Sequence, residues 1–528
     1  CISDTANEDV YVRYKQARDI AINLVELHSR LIATNVKNSA DMTFTLINTL
    51  PQKREDTVIV KTYVPGGKFA IVDEKGNNVD YTIIQSRDLT DYVLSQIITI
   101  DPSRKFYIPD HVFEVTMAIK ANDVPALGYV QYSVDTEKDS HKEMEEKSVL
   151  ENEYYTIEVE KDGSLTIVDK ENNVTYKNQG ILVENGDDGD SFNYSPPRKD
   201  LEVFSNESES SVKISGSDVY SQAVIHFDMV VPENLEERAE GKVSVTMPVD
   251  MTVALRKGSK VIDFNVKVDN KGLSHRLCVV FDSQIVSAFN YADQQFGLIK
   301  RPNYYEKEMK LYMESMNNRS EKKTGIQELA NWANDQSTWQ EPPISIEPTQ
   351  SYVSLTDGKT GVAVIPQGVR EYEVLDDSKI RLTLFRTYGF MGKENLIYRP
   401  GRASGERIIE TPAAQLLKQM EFNFGFTTYA GDINDADIDT LAKQYDTNME
   451  VYTYAEFLNG RLIFSQREIE GKNDIVHSLF ETEGNLVVSA IKKAEEDDGY
   501  IIRLYNGKDH RNLDDKIKFN FDVKEAYY

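Results

Sequence analysis

Lys242-Val-Ser-Val-Thr-Met-Pro-Val-Asp-Met-Thr-Val-Ala-Leu-Arg256 and Val261-Ile-Asp-Phe-Asn-Val-Lys-Val268, joined at Lys257-Gly-Ser259, set the fold class. Both arms alternate apolar and polar residues with period two, so one set faces a core and the other faces away. Antiparallel strands of this length suit a large two-sheet sandwich. Upstream, Tyr154-Tyr-Thr-Ile-Glu-Val-Glu160 and Ser164-Leu-Thr-Ile-Val-Asp169 flank Lys161-Asp-Gly163, a strong hairpin signal.

Period two recurs outward on both sides. Met42-Thr-Phe-Thr-Leu-Ile47, Thr57-Val-Ile-Val-Lys-Thr-Tyr-Val64, Val112-Phe-Glu-Val-Thr-Met-Ala-Ile119 and Gly128-Tyr-Val-Gln-Tyr-Ser-Val134 read as strands of a smaller antiparallel sandwich. Its turns are Pro65-Gly-Gly67 and Gly76-Asn-Asn78. The run from Asp135 to Lys147 is charged and poor in apolar residues, hence a linker or a solvated helix. Past a short helix near 440, strands at Arg461–Phe464, Asn485–Ile491, Tyr500–Tyr505 and Lys516–Phe521 suggest a terminal sandwich.

The first residues break the pattern. Val10, Tyr14, Ala17, Ala21, Leu24, His28 and Leu31 alternate by four and three, which predicts one long helix over residues 5 to about 35. Thr5-Ala-Asn-Glu8 fits a capping box at its start. Such a stripe needs bundle partners, and only short helical candidates follow, such as Ile326–Trp332 and Ile438–Lys443. The partners are therefore expected in preceding sequence. The predicted fold is mainly β: a long N-terminal helix, part of a helical bundle, then several antiparallel β-sandwich domains, the largest mutarotase-like. The expected divisions are 1–38 (helical segment), 39–135 (small sandwich), 136–147 (charged linker), 148–435 (large sandwich) and 436–528 (terminal sandwich).

Composition narrows function. The chain has 528 residues, 40% hydrophobic and 28% charged, an ordinary globular balance. A formal charge of −27 and the lack of a long basic run argue against nucleic acid or an anionic membrane as partner. No apolar stretch approaches the ~18 residues of a membrane-spanning helix. Two cysteines give no disulfide framework and favour a reducing, cytoplasmic compartment. Cys278 lies in a β-like apolar run and reads as an inert core thiol. Cys1 would suit a lipid-anchored mature N-terminus only with a polar tether, and a helix follows instead. None of the seven histidines lies within four positions of another, and His28 reads as a core or semi-buried residue. No metal site is expected in the chain.

Chemistry concentrates in Asn185-Gly-Asp-Asp-Gly-Asp-Ser-Phe-Asn-Tyr-Ser-Pro-Pro197. It follows Ile181-Leu-Val183 and reads as a strand opening into a rigid acidic loop, with Gly186 and Gly189 permitting positive φ and Pro196-Pro197 stiffening the exit. Asp187, Asp188 and Asp190 beside Phe192 and Tyr194 suit a sugar, whose hydroxyls want acceptors and whose C–H faces want an apolar platform. Calcium is the rival, but no Glu closes the loop at the twelfth position. Asp187 and Asp188 point to opposite faces of an extended segment, a poor catalytic dyad.

Three further segments follow in order: Phe289-Asn-Tyr-Ala-Asp-Gln-Gln-Phe-Gly-Leu-Ile-Lys-Arg-Pro302, Pro348-Thr-Gln-Ser-Tyr-Val-Ser-Leu-Thr-Asp-Gly358 and Leu382-Thr-Leu-Phe-Arg-Thr-Tyr-Gly389. With the acidic loop, the series resembles the C-terminal β-domains of glycoside hydrolase family 38, the retaining α-mannosidases, in their bacterial form. In that family zinc and the nucleophilic Asp sit on an N-terminal α/β barrel, which nothing here resembles. The opening Cys1–Val10 is similar to sequence that directly follows a zinc-ligand motif of the family. The resemblance thus implies a C-terminal fragment with no catalytic residue and no metal ligand in this chain, zinc being bound by the absent barrel. It implies an α-mannoside substrate, the N-terminal catalytic domain as partner, and a possible homodimer.

The resemblance also marks Tyr291 and Asp293 as substrate contacts reaching the sugar at the rim of the site, the alternative being a strand Tyr packed at a domain boundary. Arg386 is a candidate hydroxyl donor facing the barrel or merely the partner of a surface acid, and Asp187, Asp188, Asp190 and Tyr194 are either structural or substrate-contacting. Arg402 is a weaker candidate. Trp332 and Trp339 suit stacking or core anchoring, and Asp4 suits a helix cap near the site. Two alternatives stay open: a non-catalytic carbohydrate-binding or scaffold protein of β-sandwiches, and a glycosidase of mutarotase-like fold whose acids lie in this chain.

Overall fold

The computed structural model describes residues 3–38, 40–66, 68–95, 108–318, 341–399, 408–455, 457, 471–484, 486–507 and 515–527. The paired arms of the opening stretch form strands Val245–Arg256 and Ile262–Asp269, antiparallel with Val253 opposite Phe264. They lie inside a ten-stranded sheet, between strands Tyr220–Val231 and Gln419–Ala430. A six-stranded sheet faces it, built on Ile181–Gly186, His275–Asp282 and Lys379–Arg386. One core fills the space between: Phe264 stacks on Phe424, with centroids 5.2 Å apart, and meets the edge of Phe281 from the other sheet at 5.2 Å. A four-stranded sheet including the hairpin Tyr155–Val159 and Leu165–Asp169 adds Tyr155, Ile157 and Ile167 to that core. The large sandwich and the mainly β fold are as the sequence predicts.

The smaller sandwich has its own core, around Phe44, Leu46, Phe69, Tyr81 and Met117. One sheet carries Arg54–Val64, Phe113–Val124 and Tyr81–Asp88; the other is centred on Met42–Asn48 and Gly128–Asp135. The second sheet is not closed by local sequence. Strand Glu450–Ala455 pairs along Met42–Asn48, and Val476–Ser478 pairs with Gly128–Asp135. The first strands of the stretch 436–528, expected as one terminal sandwich, thus belong to the small sandwich's sheet. They cross back because Met42–Asn48, buried along its whole length, needs a partner on each edge. Beyond them, the described residues form two-stranded pairs, Phe480–Glu483 with Lys516–Phe519 and Leu486–Lys493 with Tyr500–Asn506. The expected strand at 461–464 lies outside the described residues, as do Trp332, Trp339 and Arg402.

The charged run 135–147 is stitched to both sandwiches. His141–Lys142 pairs with Tyr81–Asp88, and Glu145–Glu146 with Glu209–Gly216. Helix Ile438–Asp446 lays Ile438, Ala442 and Tyr445 against Tyr352, Ile365 and Tyr429 of the large domain. A helix at Glu306–Asn318, which the sequence reading missed, follows strand Gly297–Pro302.

The long helix runs Ser3–Ala33, so Thr5 lies inside its first turn and is not its cap. Its last turns dock through Ser29 and Ala33 on the small sandwich, with Val36 buried just past the helix end. Its apolar stripe is exposed, with Tyr14 at 71% and Leu24 at 51%. His28 is also exposed, which corrects the core or semi-buried reading. Among the described residues no helix is long and apolar enough to cross a membrane.

Candidate functional site

Strand Ile181–Gly186 ends at the edge of the large core, and the acidic loop leaves it there. Space, not backbone angle, explains its glycines. Neither Gly186 nor Gly189 has positive φ, contrary to the sequence reading. A Cβ on Gly189 would stand 2.0 Å from the Asn193 carbonyl oxygen, and one on Gly186 would stand 2.6 Å from Pro197 Cγ. The loop folds back on itself too tightly for a side chain at either position.

Each of the three carboxylates has its own cation. Arg386 donates to Asp187 from Nε (2.6 Å) and Nη2 (3.2 Å), and Nη2 also reaches the carbonyls of Asp190 and Asn193 at 2.9 Å. Lys393 Nζ donates to Asp188. Arg399 donates to Asp190, which also accepts from the backbone N–H groups of Phe192 (2.9 Å), Asn193 (3.1 Å) and Lys393 (2.8 Å). Asp187 and Asp190 are buried and Asp188 is half-exposed. Burial pushes the Asp187 carboxyl up against the pull of Arg386. Burial acts on Asp190 too, but Arg399 and the three N–H donors outweigh it and hold that carboxyl below its ordinary value.

Of the two roles open to Asp187 and Asp190, structural or substrate-contacting, the geometry favours the structural one, since their oxygens are engaged inside the loop. Arg386 is likewise committed to the loop. Tyr194 is buried as well: its ring covers the Arg276 guanidinium at 4.0 Å, and Asn185 donates to its hydroxyl at 3.3 Å. Phe192 is the loop's exposed side chain, and Asp188, Ser191, Asn193, Pro196 and Pro197 are half-exposed. Since every carboxylate is balanced by a protein cation, the loop needs no calcium. Chelation with EDTA is expected to leave the melting temperature unchanged; a large drop restored by calcium would contradict this arrangement.

Beneath the loop lies a charge cluster the sequence reading missed. Glu184 accepts from His275 Nδ1 at 2.9 Å and from Arg238, all three side chains being buried. His275 Nε2 faces Asn270 Oδ1 at 2.9 Å, and the His275 backbone carbonyl accepts from Thr387 N at 2.7 Å. Ser274 accepts from the Asp187 N–H and donates its own N–H to Gln415. Nearby, Asp4 at the start of the long helix accepts from the Ala413 N–H at 3.1 Å. The helix start and the acidic loop therefore share one side of the molecule, joined through residues 411–415.

Tyr291 and Asp293 stand elsewhere, on strand Phe289–Gln294. Tyr291 packs beside Tyr352, Tyr429 and helix Ile438–Asp446, with Lys300 Nζ 5.6 Å from its ring centre. Asp293 accepts from the Ser351 hydroxyl, and burial raises its carboxyl pKa, with the Asp439 charge adding to the shift. Among the described residues, no hydrogen bond, ion pair or ring contact joins this pair to the acidic loop. Cys278 is buried within the six-stranded sheet, and burial pushes its thiol up.

Residues 150–390 match the glycosyl hydrolases family 38 C-terminal domain, and residues 485–528 match the family 38 C-terminal beta sandwich domain. A "Putative mannosylglycerate hydrolase" of Halalkalibacterium halodurans is 24% identical over 381 residues, covering 68% of this chain and 36% of the relative. A family 38 glycosyl hydrolase structure from Enterococcus faecalis superposes with a TM-score of 0.72 at 18% identity, covering 98% of this chain and 59% of the other. An α-mannosidase structure from Enterococcus faecalis V583 gives 0.70 at 19% identity, covering 96% and 55%. The chain thus spans about a third of the curated relative and over half of each solved one.

Proposed function

The chain carries the C-terminal β-domains of glycoside hydrolase family 38, and from that premise we propose that it is the C-terminal part of a retaining α-mannosidase hydrolysing α-linked mannose. The observation that carries the reading is the ordered family match across the large sandwich, with the acidic loop at its braced end. The loop's role in this reading is structural. Its paired carboxylates hold a rigid wall toward the N-terminal catalytic domain of the same protein, on the side where the long helix starts. Phe192 and Asp188 are the groups that reach that domain or its substrate.

Zinc, which the family implies, does not fit here. Among the described residues no three His, Cys, Asp or Glu side chains gather as a metal-holding group, and the loop carboxylates are spent on Arg386, Lys393 and Arg399. In our reading the metal and the nucleophile belong to the catalytic domain, and no step of the reaction is assigned to this chain. The cysteine usage favours a cytoplasmic setting.

The 528-residue chain alone is therefore expected not to hydrolyse p-nitrophenyl α-mannoside or α-mannosylglycerate, even with zinc added. The same chain joined to its catalytic domain should do so with retention at the anomeric carbon. Turnover by the isolated chain would overturn the reading, as would inversion by the joined protein. Tyr291 and Asp293 remain our proposed substrate contacts. The Tyr291 hydroxyl makes no hydrogen bond within the described residues, which leaves it available to a sugar. Tyr291→Phe in the intact enzyme should raise the barrier by about 1–3 kcal/mol, read as kcat/KM. Unchanged kinetics would make Tyr291 a packing residue only.

A further inference from the structure

A cleft of about 230 Å³ lies between the two sandwiches and shares no lining residue with the acidic loop or with Tyr291 and Asp293. Its floor is the outer face of the ten-stranded sheet. Register places Thr252 opposite Asn265 and Asn265 opposite Asn423, so their side chains line up on one face. The intervening residues Val253 and Phe424 point into the core. One wall is Ile59, on strand Arg54–Val64 of the small sandwich, and another is Tyr445 at the end of helix Ile438–Asp446.

The walls are fixed to one another. Arg256 donates to Asp263 at 2.8 and 3.2 Å, and across the junction to the Thr57 carbonyl at 3.2 Å. The Thr57 hydroxyl donates back to the Lys257 carbonyl at 2.8 Å. Arg54 holds the end of the helix through the carbonyls of Gln444 (2.9 Å) and Thr447 (2.6 Å). The cleft is therefore prebuilt, and binding there need not order a loop.

Its charge is balanced. Arg54 and Arg256 are matched by Asp56 and Asp263, which leaves no lining cation free for an anionic ligand among the described residues. Its open hydrogen-bonding capacity is neutral and paired. Asn265 Nδ2 donates to Glu421 at 2.7 Å and to Asn423 Oδ1 at 2.8 Å, and this network fixes the orientation of both amides. Asn265 Oδ1 and Asn423 Nδ2 are then an acceptor beside a donor, neither with a partner among the described residues. Gln367 donates to the Tyr445 carbonyl at 3.2 Å, which leaves its own oxygen as a second acceptor. An acceptor next to a donor is the complement of two adjacent hydroxyls, and Ile59 with the Tyr445 ring offers an apolar surface for C–H groups. The volume is below the ~300 Å³ at which sites for drug-sized ligands begin, so one ring fills it.

We infer that this interdomain cleft binds a single neutral sugar ring through a vicinal diol, independently of the glycosidase reading. Methyl α-D-mannopyranoside and D-glucose, titrated against the 528-residue chain by saturation-transfer NMR, should bind saturably with a Kd of roughly 1–10 mM. Cyclohexanol, of similar size with one hydroxyl, should not. Asn423→Leu removes the donor, and Ile59→Trp fills the mouth; each should weaken binding at least about tenfold with an unchanged melting temperature. Either variant suffices if the other fails to fold. No saturable signal in the parent chain overturns the inference. So does binding that survives in both folded variants, which would place the sugar elsewhere.

Discussion

Glu184→Ala is expected to destabilise the large sandwich by about 3–5 kcal/mol, the range found when one partner of a buried ion pair is removed. Glu184 has no exposed surface, and its carboxylate meets both Arg238 and His275. Loss of the carboxylate strands a guanidinium that is also buried. Arg238 keeps the Leu201 carbonyl and a 3.5 Å contact with Asp200, neither of which replaces the lost charge at its Nη2. His275 loses the acceptor at Nδ1 while Nε2 still faces Asn270. Because the His275 backbone bonds Thr387, the disturbance reaches the strand that positions Arg386 and hence the acidic loop. Glu184→Gln keeps an acceptor and should cost less than Glu184→Ala. Urea unfolding of both variants checks the order. Equal stability of parent and Glu184→Ala would mean that the cluster contributes nothing net.

The sequence made some of this legible. Period two in residues 242–268 identified the central hairpin because one face of those strands is buried and the other is not. The density of Asp, Gly and Pro in 185–197 identified a rigid loop, while Arg386 stood out as a hydroxyl donor and not as that loop's partner. Two kinds of feature stayed hidden. Lys393 and Arg399 lie about two hundred residues from the carboxylates they neutralise, and a lone cation in a loop has no spacing signature. Strand Glu450–Ala455 is not among the expected strands, and nothing in its sequence says that its partner is Met42–Asn48. Such pairings are settled by which sheet edge is left open after the nearer strands have paired. The glycines of the acidic loop show a third limit. Sequence suggests turn geometry, while the structure shows that Gly186 and Gly189 answer to crowding from Pro197 and Asn193.

The acidic loop itself yields the second large effect, with a pH signature. Asp190→Ala should cost about 3–5 kcal/mol near neutral pH, because it strands buried Arg399 and removes the acceptor of three backbone N–H groups. The sign of the pH dependence follows from the lowered native pKa of Asp190. In the unfolded chain an Asp titrates near 3.9, so the folded protein releases this proton more readily than the unfolded one. The stabilisation from Asp190 is therefore fully present above about pH 4 and is lost as pH falls toward its lower native pKa. Asp187 works the other way: burial raises its native pKa, so the cost of its ionised form is relieved as pH falls through that raised pKa. The gap between parent and Asp190→Ala should accordingly be constant from neutral pH down to about 5 and then narrow below about 4. An Asp187→Asn variant should gain relative to the parent at neutral pH only if its lost charge outweighs its bidentate bond to Arg386. Urea melts of the parent and Asp190→Ala across this range decide the point. A gap that stays constant into acid would show that Asp190 acts through shape alone, and that its charge is not what holds the loop.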